Sequence, residues 1–436
     1  MINRLISATI FFLPLYLLKI KIFFVPFNIL EIIIWLVFVF WLKKKIEKNK
    51  IREIGEIGGA REILLPALLV LLGATLSTLL SENIIVSAGI LKSWFLAPMA
   101  FGLMVYMEVR DEKNAKRLFG ALFVSAAVVA LIAIFYFVFG RMTFDGRLSA
   151  FYLSPNHLAM YLAPGFLIGL FFMKSSKAEL SSGPTPLFQR GVKKTAVFCG
   201  LALISVALYL TYSYAAWIAV IIVTGIWWLA ISGKRKKMLT YGLIFLLLIA
   251  ILFFSQLGNE KFSNLLSLER SSLHSRLMIW RAALEIAKDH PIFGVGPGMF
   301  QKYYLDYQSR FSVQYLEWAV PQPHNIFLAF WLQTGILGLF GLLWLLVVFF
   351  RRTIKQAGVM FSCCGTHRPA ASSNSPHCEN TTPACFSLIL AGLMFYILLH
   401  GLADTTYWKN DLAIMFWTII AISAVLYRKQ SQPVGQ

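Results

Sequence analysis

Residues 118–139, LFGALFVSAAVVALIAIFYFVF, contain no charged side chain. A helix of about 20 apolar residues crosses the hydrocarbon core of a bilayer, which is about 30 Å thick. The chain of 436 residues is 58% hydrophobic and 14% charged. Soluble domains are about 45–50% apolar and about 25% charged. The sequence therefore predicts an all-α integral membrane protein.

Apolar runs of this kind recur along the whole chain. They predict a polytopic membrane helix bundle of about twelve transmembrane helices, at Ile6–Phe24, Val25–Leu42, Ile63–Leu80, Ile84–Met107, Leu118–Phe139, His157–Met173, Thr195–Thr211, Tyr214–Ser232, Leu239–Gln256, Asn325–Phe350, Phe386–Ala403 and Leu412–Tyr427. The first run lacks a small-residue cleavage site and is followed at once by a second. It is therefore expected to be a retained helix rather than a signal peptide.

Positive charge is distributed unevenly between successive loops. If the N-terminus is cytoplasmic, 27 of the 40 Lys and Arg residues fall in cytoplasmic loops and tails. This asymmetry follows the positive-inside rule, so both termini are expected in the cytoplasm. It also accounts for the net charge of +20 without nucleic acid as a partner.

The same topology places one long segment, Leu257–Pro323, outside the membrane. The chain is thus predicted to consist of N-terminal transmembrane helices in residues 1–256, an extracytoplasmic loop in 257–323, and C-terminal transmembrane helices in 324–436 with a cytoplasmic loop at 351–385. Loops of such length are usually functional. The alternative is a passive spacer.

The long loop is predicted to be partly helical. Serines at 271–272 are candidate N-caps for a helix that reaches His290, and a second helix is predicted over Phe300–Trp318. Arg276 and Arg281 lie five positions apart on the first of these helices, so their side chains point about 140° from each other. One of them is expected to contact solvent or lipid headgroups unless the helix bends.

Three stretches stand out beside the apolar runs. They are Arg147–Ala159, which contains Pro155-Asn156-His157; Thr211–Trp217, which reads TYSYAAW; and Arg276–Gly341, which contains Pro323-His324-Asn325 and the glycines Gly335, Gly338 and Gly341. In this order, with the long loop outside, they resemble the O-antigen ligase/polymerase family of polytopic membrane glycosyltransferases. The resemblance covers roughly residues 140–345.

This chain departs from the family at one position. The family's second stretch typically reads Ser-Arg where this chain has Ser213-Tyr214. If that arginine grips a phosphate in relatives, another cation must replace it here. Lys92, Arg141 and Arg147 are candidates, because the predicted topology places all three towards the outer face.

The resemblance implies an enzyme of the bacterial cytoplasmic (inner) membrane that acts in lipopolysaccharide and cell-envelope polysaccharide biosynthesis. Its donor would be a glycan linked to a polyprenyl diphosphate, and its acceptor a hydroxyl of a lipid, a glycan or a protein. Such a reaction needs cations for the leaving diphosphate, a base for the acceptor hydroxyl and an apolar groove for the lipid chain. No cofactor is expected, and no metal ion is needed if arginines carry the charge.

His324 is the candidate base of this reaction. It is predicted to begin the helix after the long loop, and a helix N-terminus favours the neutral imidazole that a base requires. The plain alternative is a histidine that only caps or packs. Asn325 is predicted to orient His324 or to bind a sugar hydroxyl.

Cationic and acidic partners of the candidate base come from four other places in the chain. Arg276 and Arg281 are the candidates for binding the diphosphate, with Arg147 as a third. A headgroup anchor is the alternative for Arg147. Lys92 is a further candidate for substrate binding, and Asp404, at the edge of a predicted membrane helix, is predicted to orient His324 or an arginine.

A second group of reactive side chains lies in the Ser/Thr/Pro-rich cytoplasmic loop. Cys363, Cys364, Cys378 and Cys385 accompany His367 and His377 there. The spacing contains no CxxC pair, and adjacent cysteines are poor joint ligands of a tetrahedral zinc ion. The thiols are expected to be reduced and the loop disordered.

Three other functions stay open on the sequence. A polymerase that joins lipid-linked repeat units needs the same donor site as a ligase. A transporter or flippase of lipid-linked glycans belongs to a different class, which typically shows internal repeats and charges at mid-membrane. A scaffold protein that has lost activity is compatible with tyrosine at position 214.

Overall fold

The computed structural model describes residues 1–22, 25–47, 61–178, 187–231, 272–310, 320–365 and 382–430, together with 242, 246–247, 249–251, 253–258 and 263. In these ranges the chain is almost entirely helical, as an all-α membrane protein requires. Six helices there are long and apolar enough to cross a membrane, and four shorter apolar helices accompany them. The predicted total of about twelve spans stays a prediction, and 8 of the 18 residues in the run Leu239–Gln256 lie outside the described residues.

The elements follow one another in a simple order. The helices are α1 (Ile2–Phe11), α2 (Ile29–Glu47), α3 (Arg61–Leu79), α4 (Ile84–Glu108), α5 (Glu112–Val138), α6 (Pro155–Ala178), α7 (Leu187–Leu210), α8 (Tyr214–Ile231), α9 (Ser272–Asp289), α10 (Phe300–Tyr307), α11 (Ile326–Gly365), α12 (Thr382–Gly401) and α13 (Asn410–Gln430). A hairpin of two antiparallel strands, β1 (Lys19–Ile22) and β2 (Val25–Asn28), lies between α1 and α2.

The first predicted span, Ile6–Phe24, is not a single helix. Helix α1 ends at Phe11, and a 3-10 turn over Leu13–Leu17 contains Pro14 at its start. Proline cannot donate the backbone hydrogen bond that a continuing α-helix needs. The alternating Lys-Ile-Lys-Ile that follows then suits a strand better than a membrane helix. The hairpin is therefore a local departure from the all-α prediction.

Helix α4 contains a π-helical turn over Lys92–Leu96. Such a turn leaves backbone carbonyls without their usual partners inside the helix. Two side chains bind these carbonyls: Asn410, the first residue of α13, donates to Ser93 O at 3.2 Å, and Tyr407, in the segment before α13, donates to Trp94 O at 2.8 Å. The π turn is thereby joined to the segment that connects α12 with α13.

Helices α3 and α11 pack closely because small residues face each other. A Cβ added to Gly73 would lie 2.5 Å from the backbone nitrogen of Gly338. Helix α11 is also kinked at Gly335, which has φ 67°. At the kink, the backbone nitrogen of Ile336 donates to the carbonyl of Ile292 at 2.9 Å. The glycine-rich segment after α9 is therefore fastened to α11.

The segment predicted as a long loop contains both predicted helices in the described residues. Helix α9 agrees closely with its prediction, whereas α10 ends at Tyr307 and continues as a 3-10 turn to Arg310. The remainder of the second predicted helix, at 311–319, lies outside the described residues. Buried apolar side chains from α9, α10 and α11 form a small core of their own, which includes Ile286, Phe300 and Leu332. This core fixes α9 against the start of α11.

At the other end of the bundle, α11 is longer than predicted. It continues as a helix to Gly365, within the segment predicted as a cytoplasmic loop from residue 351. Arg352 on this extension is buried and forms an ion pair with Glu62 at 3.1 Å. Residues 366–381, and with them Cys378, His367 and His377, lie outside the described residues, as do the side chains of Cys363, Cys364 and Cys385.

Candidate functional site

His324 and Asp404 form the centre of a polar cluster. His324 Nδ1 lies 2.9 Å from Asp404 Oδ1. The imidazole is 24% exposed, whereas the carboxylate is 2% exposed. Asp404 is thus buried behind a histidine that can still be reached from outside the protein. Trp280 of α9 donates its indole N–H to the carbonyl of His324 at 3.2 Å and fixes the backbone there.

Arg276 lies on the other side of the same carboxylate. Its Nη2 is 3.9 Å from Asp404 Oδ2, and its Nε donates to the carbonyl of Ala403 at 2.6 Å. The backbone N–H of Thr405 donates to Asp404 Oδ1 at 2.9 Å. Two neighbouring acceptors in the turn after α12, the carbonyl of Ala403 and the carboxylate of Asp404, therefore hold the side chain of Arg276.

Asn156 connects this turn to a second arginine. Its side-chain N–H donates to Asp404 Oδ2 at 3.1 Å, and its carbonyl oxygen accepts a hydrogen bond from Arg147 Nη2 at 2.7 Å. Arg147 also donates from Nε to the carbonyl of Thr211 at 2.8 Å and lies 3.7 Å from Asp145. All three stretches singled out in the sequence thus meet in one hydrogen-bonded network.

The position that departs from the family motif borders the network. The hydroxyl of Tyr214 donates to Gln256 Oε1 at 3.1 Å, and Gln256 in turn donates to the hydroxyl of Tyr209 at 3.0 Å. Tyr214 lies near enough to Arg147 to act on the pKa of its guanidinium, although burial has the larger effect on that pKa. A tyrosine hydroxyl is neutral in ordinary conditions, so this position supplies no positive charge.

Backbone strain is concentrated at the same place. Among the described residues, the non-glycine residues with a positive φ are Ala150 at 51°, Tyr212 at 46° and His324 at 48°. Each lies in one of the three stretches that form the network. A side-chain-bearing residue in this conformation costs about 1–3 kcal/mol, and such residues cluster at functional sites.

The charges of the cluster follow from its burial and its neighbours. Burial alone would raise the pKa of Asp404, but the His324 imidazole with its hydrogen bond, and then the Arg276 guanidinium, hold this pKa well below its usual range. Burial lowers the pKa of Arg147, and Asp145 opposes the effect. Asp404 is therefore a carboxylate at neutral pH, and the arginines remain cations.

The other predicted site residues lie at different distances from this centre. Asn325 caps α11, because its side-chain oxygen accepts from the N–H groups of Phe327 and Leu328, at 3.0 and 3.1 Å, and its amide donates to Leu402 O. Arg281 is exposed on α9, five residues beyond Arg276, and it makes no contact with the network among the described residues.

Lys92 is held elsewhere. Its Nζ lies 3.1 Å from Glu31, 2.9 Å from the carbonyl of Pro26 and 3.5 Å from the ring centre of Phe27. These contacts attach β2 and α2 to the π turn of α4. The prediction that Lys92 binds substrate is not tested by this arrangement, but the structure does not bring Lys92 to Asp404.

Asn156 was the residue that the sequence reasoning missed as a member of the site. The sequence Pro155-Asn156-His157 is part of the stretch that carries the resemblance, but it predicts no role for the asparagine. The available signal is its place at the end of a membrane helix, where a polar side chain is a candidate for a functional contact. His157 beside it is half-buried, and its buried Nδ1 atom has no hydrogen-bond partner among the described residues.

An apolar cavity of about 370 Å³ opens between α2, α3, α4 and α13. Trp35, Leu68, Leu103, Trp417 and Ala424 are among the residues that line it. Trp417 donates its indole N–H to the hydroxyl of Tyr407 at 3.1 Å. The cavity therefore borders, through Trp417, the segment that carries Asp404.

In the part of the chain that the structure describes, no group of three or more His, Cys, Asp or Glu side chains is arranged to hold a metal ion. The groups in the cluster that bear on chemistry are two guanidinium groups, one imidazole and one carboxylate. Such a set can bind an anion and accept a proton beside it.

Fold and cluster together define a polytopic, all-α membrane protein with two arginines, a histidine and an aspartate gathered at one end of its helix bundle. Residues 199–365 match the family model described as O-antigen ligase. A curated O-antigen ligase of Salmonella typhimurium (strain LT2) is 31% identical over 153 residues. These residues are 34% of this chain and 37% of that relative. Over these residues the matches confirm the resemblance to O-antigen ligases noted in the sequence, and the chain spans about a third of the length of the curated relative it matches.

Proposed function

We propose that this protein transfers a glycan from a polyprenyl-diphosphate carrier to an acceptor hydroxyl, at the outer face of the bacterial cytoplasmic membrane, in lipopolysaccharide synthesis. The observation that carries the proposal is the network that joins His324, Asp404, Arg276 and Arg147. It combines a base with cations at one end of a membrane bundle, which is what this transfer needs.

His324 would act as the base through its Nε2 atom. Asp404 is ionised and can only accept a hydrogen bond, so the proton of a neutral His324 lies on Nδ1. The lone pair of Nε2 then points away from Asp404 and takes the proton of the acceptor hydroxyl. The acceptor oxygen bonds to the anomeric carbon. The bond from that carbon to the diphosphate breaks, and its electron pair leaves with the lipid diphosphate.

Arg276 and Arg147 would stabilise the negative charge of that leaving group. Both side chains are held by backbone carbonyls, Ala403 O for Arg276 and Thr211 O for Arg147. Guanidinium groups fixed in this way need little reorganisation when charge develops on the diphosphate. Arg281 stays a candidate for the same role, because its exposed side chain can meet a ligand from the solvent side.

The apolar cavity is the space that we assign to the lipid chain. It is lined by aliphatic and aromatic side chains from four helices and borders the segment of Asp404 through Trp417. An isoprenoid chain needs such an apolar surface. Filling the cavity by Ala67→Phe is expected to weaken a long-chain donor more than a short-chain donor.

The proposal is tested with purified protein in nanodiscs, a polyprenyl-diphosphate glycan as donor, and lipid A–core or a second lipid-linked unit as acceptor. Transfer is expected for wild type and not for His324→Ala. His290→Ala is the matched control, because His290 lies at the end of α9 against the ring of Tyr303. Absence of transfer by wild type to every acceptor would remove the proposal.

Product size separates the two modes of transfer. A single increment on lipid A–core indicates a ligase, whereas a ladder on the lipid-linked unit indicates a polymerase. The same donor site serves both, so the base and cations assigned above are unaffected by this outcome.

A further inference from the structure

Gln333 is a fully buried amide in the apolar first part of α11. Its side chain is 0% exposed, and its neighbour Leu332 belongs to the small core that α9, α10 and α11 share. A polar amide in such a place costs free energy unless its hydrogen-bonding atoms find partners. Both ends of this amide have a partner, and the proposed mechanism gives the residue no role.

The oxygen end of the Gln333 amide binds the glycine-rich segment after α9, residues 291–298. It accepts a hydrogen bond from the backbone N–H of Gly298 at 2.8 Å. The same segment is held from α4, because the hydroxyl of Ser87 donates to the carbonyl of Pro297 at 2.9 Å. The N–H of Gly298 is therefore a fixed donor, and it determines which end of the Gln333 amide faces it.

The nitrogen end of the amide reaches the segment before α11, residues 320–325. Because the oxygen faces Gly298, the NH2 group points the other way. It donates to the side-chain oxygen of Gln322 at 2.6 Å. Gln333 lies about 10 Å along α11 from the first residue of that helix. The segment before α11 therefore folds back along the first two turns of the helix.

One residue, Pro323, separates Gln322 from His324. Pro323 is buried, and its ring fixes its own φ, so few bonds can rotate between the two side chains. His324 has a φ of 48°, a strained conformation that persists only where surrounding contacts determine it. Its carbonyl accepts from the indole of Trp280 at 3.2 Å. The backbone of His324 is thus held by Trp280 on one side and through Gln322 on the other.

We infer that Gln333 is a positioning residue for His324 and that it acts through Gln322. Its amide binds the glycine-rich segment and the segment of the base at the same time, and so holds the backbone of His324 where Nδ1 meets Asp404 Oδ1. The inference rests on the proposed function, because the residue that it places is the proposed base.

Two substitutions of Gln322 separate positioning from folding. Leucine removes the acceptor of the Gln333 amide, whereas glutamate still accepts from it, and both leave the bond to Gly298 in place. Gln322→Leu is expected to lower kcat for glycan transfer by about 10- to 100-fold with an unchanged KM for the donor, as a displacement of a catalytic group by about 1 Å does. Gln322→Glu is expected to keep kcat close to that of wild type. Rates at saturating donor exclude any effect of the new charge on donor binding.

Gln333→Leu removes both hydrogen bonds, so its kcat should be at least as low as that of Gln322→Leu. The two losses share one path, and the double variant should therefore be no slower than Gln333→Leu alone. Thr334→Val is the matched control. Thr334 is the next residue of α11 and equally buried, but its hydroxyl bonds within the helix, to the carbonyl of Phe330 at 2.7 Å. It is expected to keep the kcat of wild type.

The outcomes distinguish the inference from the function on which it rests. Active wild type with an unchanged kcat in Gln322→Leu would overturn the inference and leave the proposed function intact. The same conclusion follows if Gln322→Glu is as slow as Gln322→Leu, or if Thr334→Val loses as much turnover as Gln333→Leu. Wild type that transfers glycan to no acceptor would overturn both.

Discussion

His324 Nδ1 and Asp404 Oδ1 lie 2.9 Å apart although 80 positions separate the two residues in the chain. The histidine, with a positive φ of 48°, lies two residues before the start of α11, and the aspartate lies three residues after the end of α12. The pair therefore forms only because the start of α11 and the end of α12 lie at the same level of the bundle. Its geometry fixes both the direction of the imidazole and the position of its proton.

Asp404→Asn is expected to lower transfer by about 100-fold or more, with normal protein levels in the membrane. An amide can donate to Nδ1 and would then stabilise the tautomer whose proton lies on Nε2, the wrong atom for a base. Initial rates with saturating donor measure this effect. A variant as active as wild type would show that the imidazole does not act through this pair.

Asn156→Leu is expected to lower transfer by about 10-fold, because it removes the amide that joins Arg147 to Asp404. The matched control is Asn114→Leu, which removes a similar bond from Arg117 at 2.9 Å on an exposed part of α5. Rates for both variants should be normalised to folded protein. Equal rates in the two variants would contradict a role for Asn156.

Arg276→Gln and Arg281→Gln are expected to differ. Arg276 is bound to the turn that carries Asp404, whereas Arg281 is exposed on the same helix. The loss of turnover should therefore be larger in Arg276→Gln. A comparison of kcat and KM for the donor is the measurement. The opposite order would place the diphosphate on the solvent side of α9 instead.

Gly335→Ala is expected to lower the apparent melting temperature more than Gly140→Ala. Both glycines have φ 67°, which costs a residue with a Cβ about 1–2 kcal/mol. At Gly335 the new Cβ would also lie 2.3 Å from the carbonyl of Ile292, whereas nothing lies within 4 Å of it at Gly140. The difference between the two variants therefore measures the packing of the glycine-rich segment on α11. Equal melting temperatures would show that the glycine-rich segment can move to accommodate the added methyl group at little cost in stability.

The sidedness of the bundle can be tested by cysteine labelling, after replacement of the five native cysteines. A cysteine introduced as Lys288→Cys, at an exposed position of α9, should react with a membrane-impermeant maleimide in intact cells. Lys113→Cys, at the start of α5, should react only after the membrane is opened. Labelling in the reverse order would show that the topology is opposite to the predicted one and would contradict a reaction at the outer face.

The sequence by itself determined the class of protein, because membrane helices can be recognised from the length and apolar composition of a segment alone. Most predicted runs correspond to described helices, and α9 begins and ends close to the residues predicted for it. The prediction of one helix over Ile6–Phe24 was wrong. The total hydrophobicity of this run hides Pro14, which ends the helical hydrogen bonding, and the alternating Lys and Ile residues of β1. His324 and Asp404 could be nominated separately from their places at helix ends.

Their partnership was decided by the tertiary structure. The sequence alone gives no distances between residues far apart in the chain. Only the packing of α6, α9, α11 and α12 brings Asn156, Arg276 and His324 to the carboxylate of Asp404. The choice between Arg276 and Arg281 as neighbours of that carboxylate was decided in the same way, since the two point to different sides of α9. Lys92 shows the converse: its charge and predicted depth suited the site, yet local contacts with Glu31 and Pro26 hold it elsewhere.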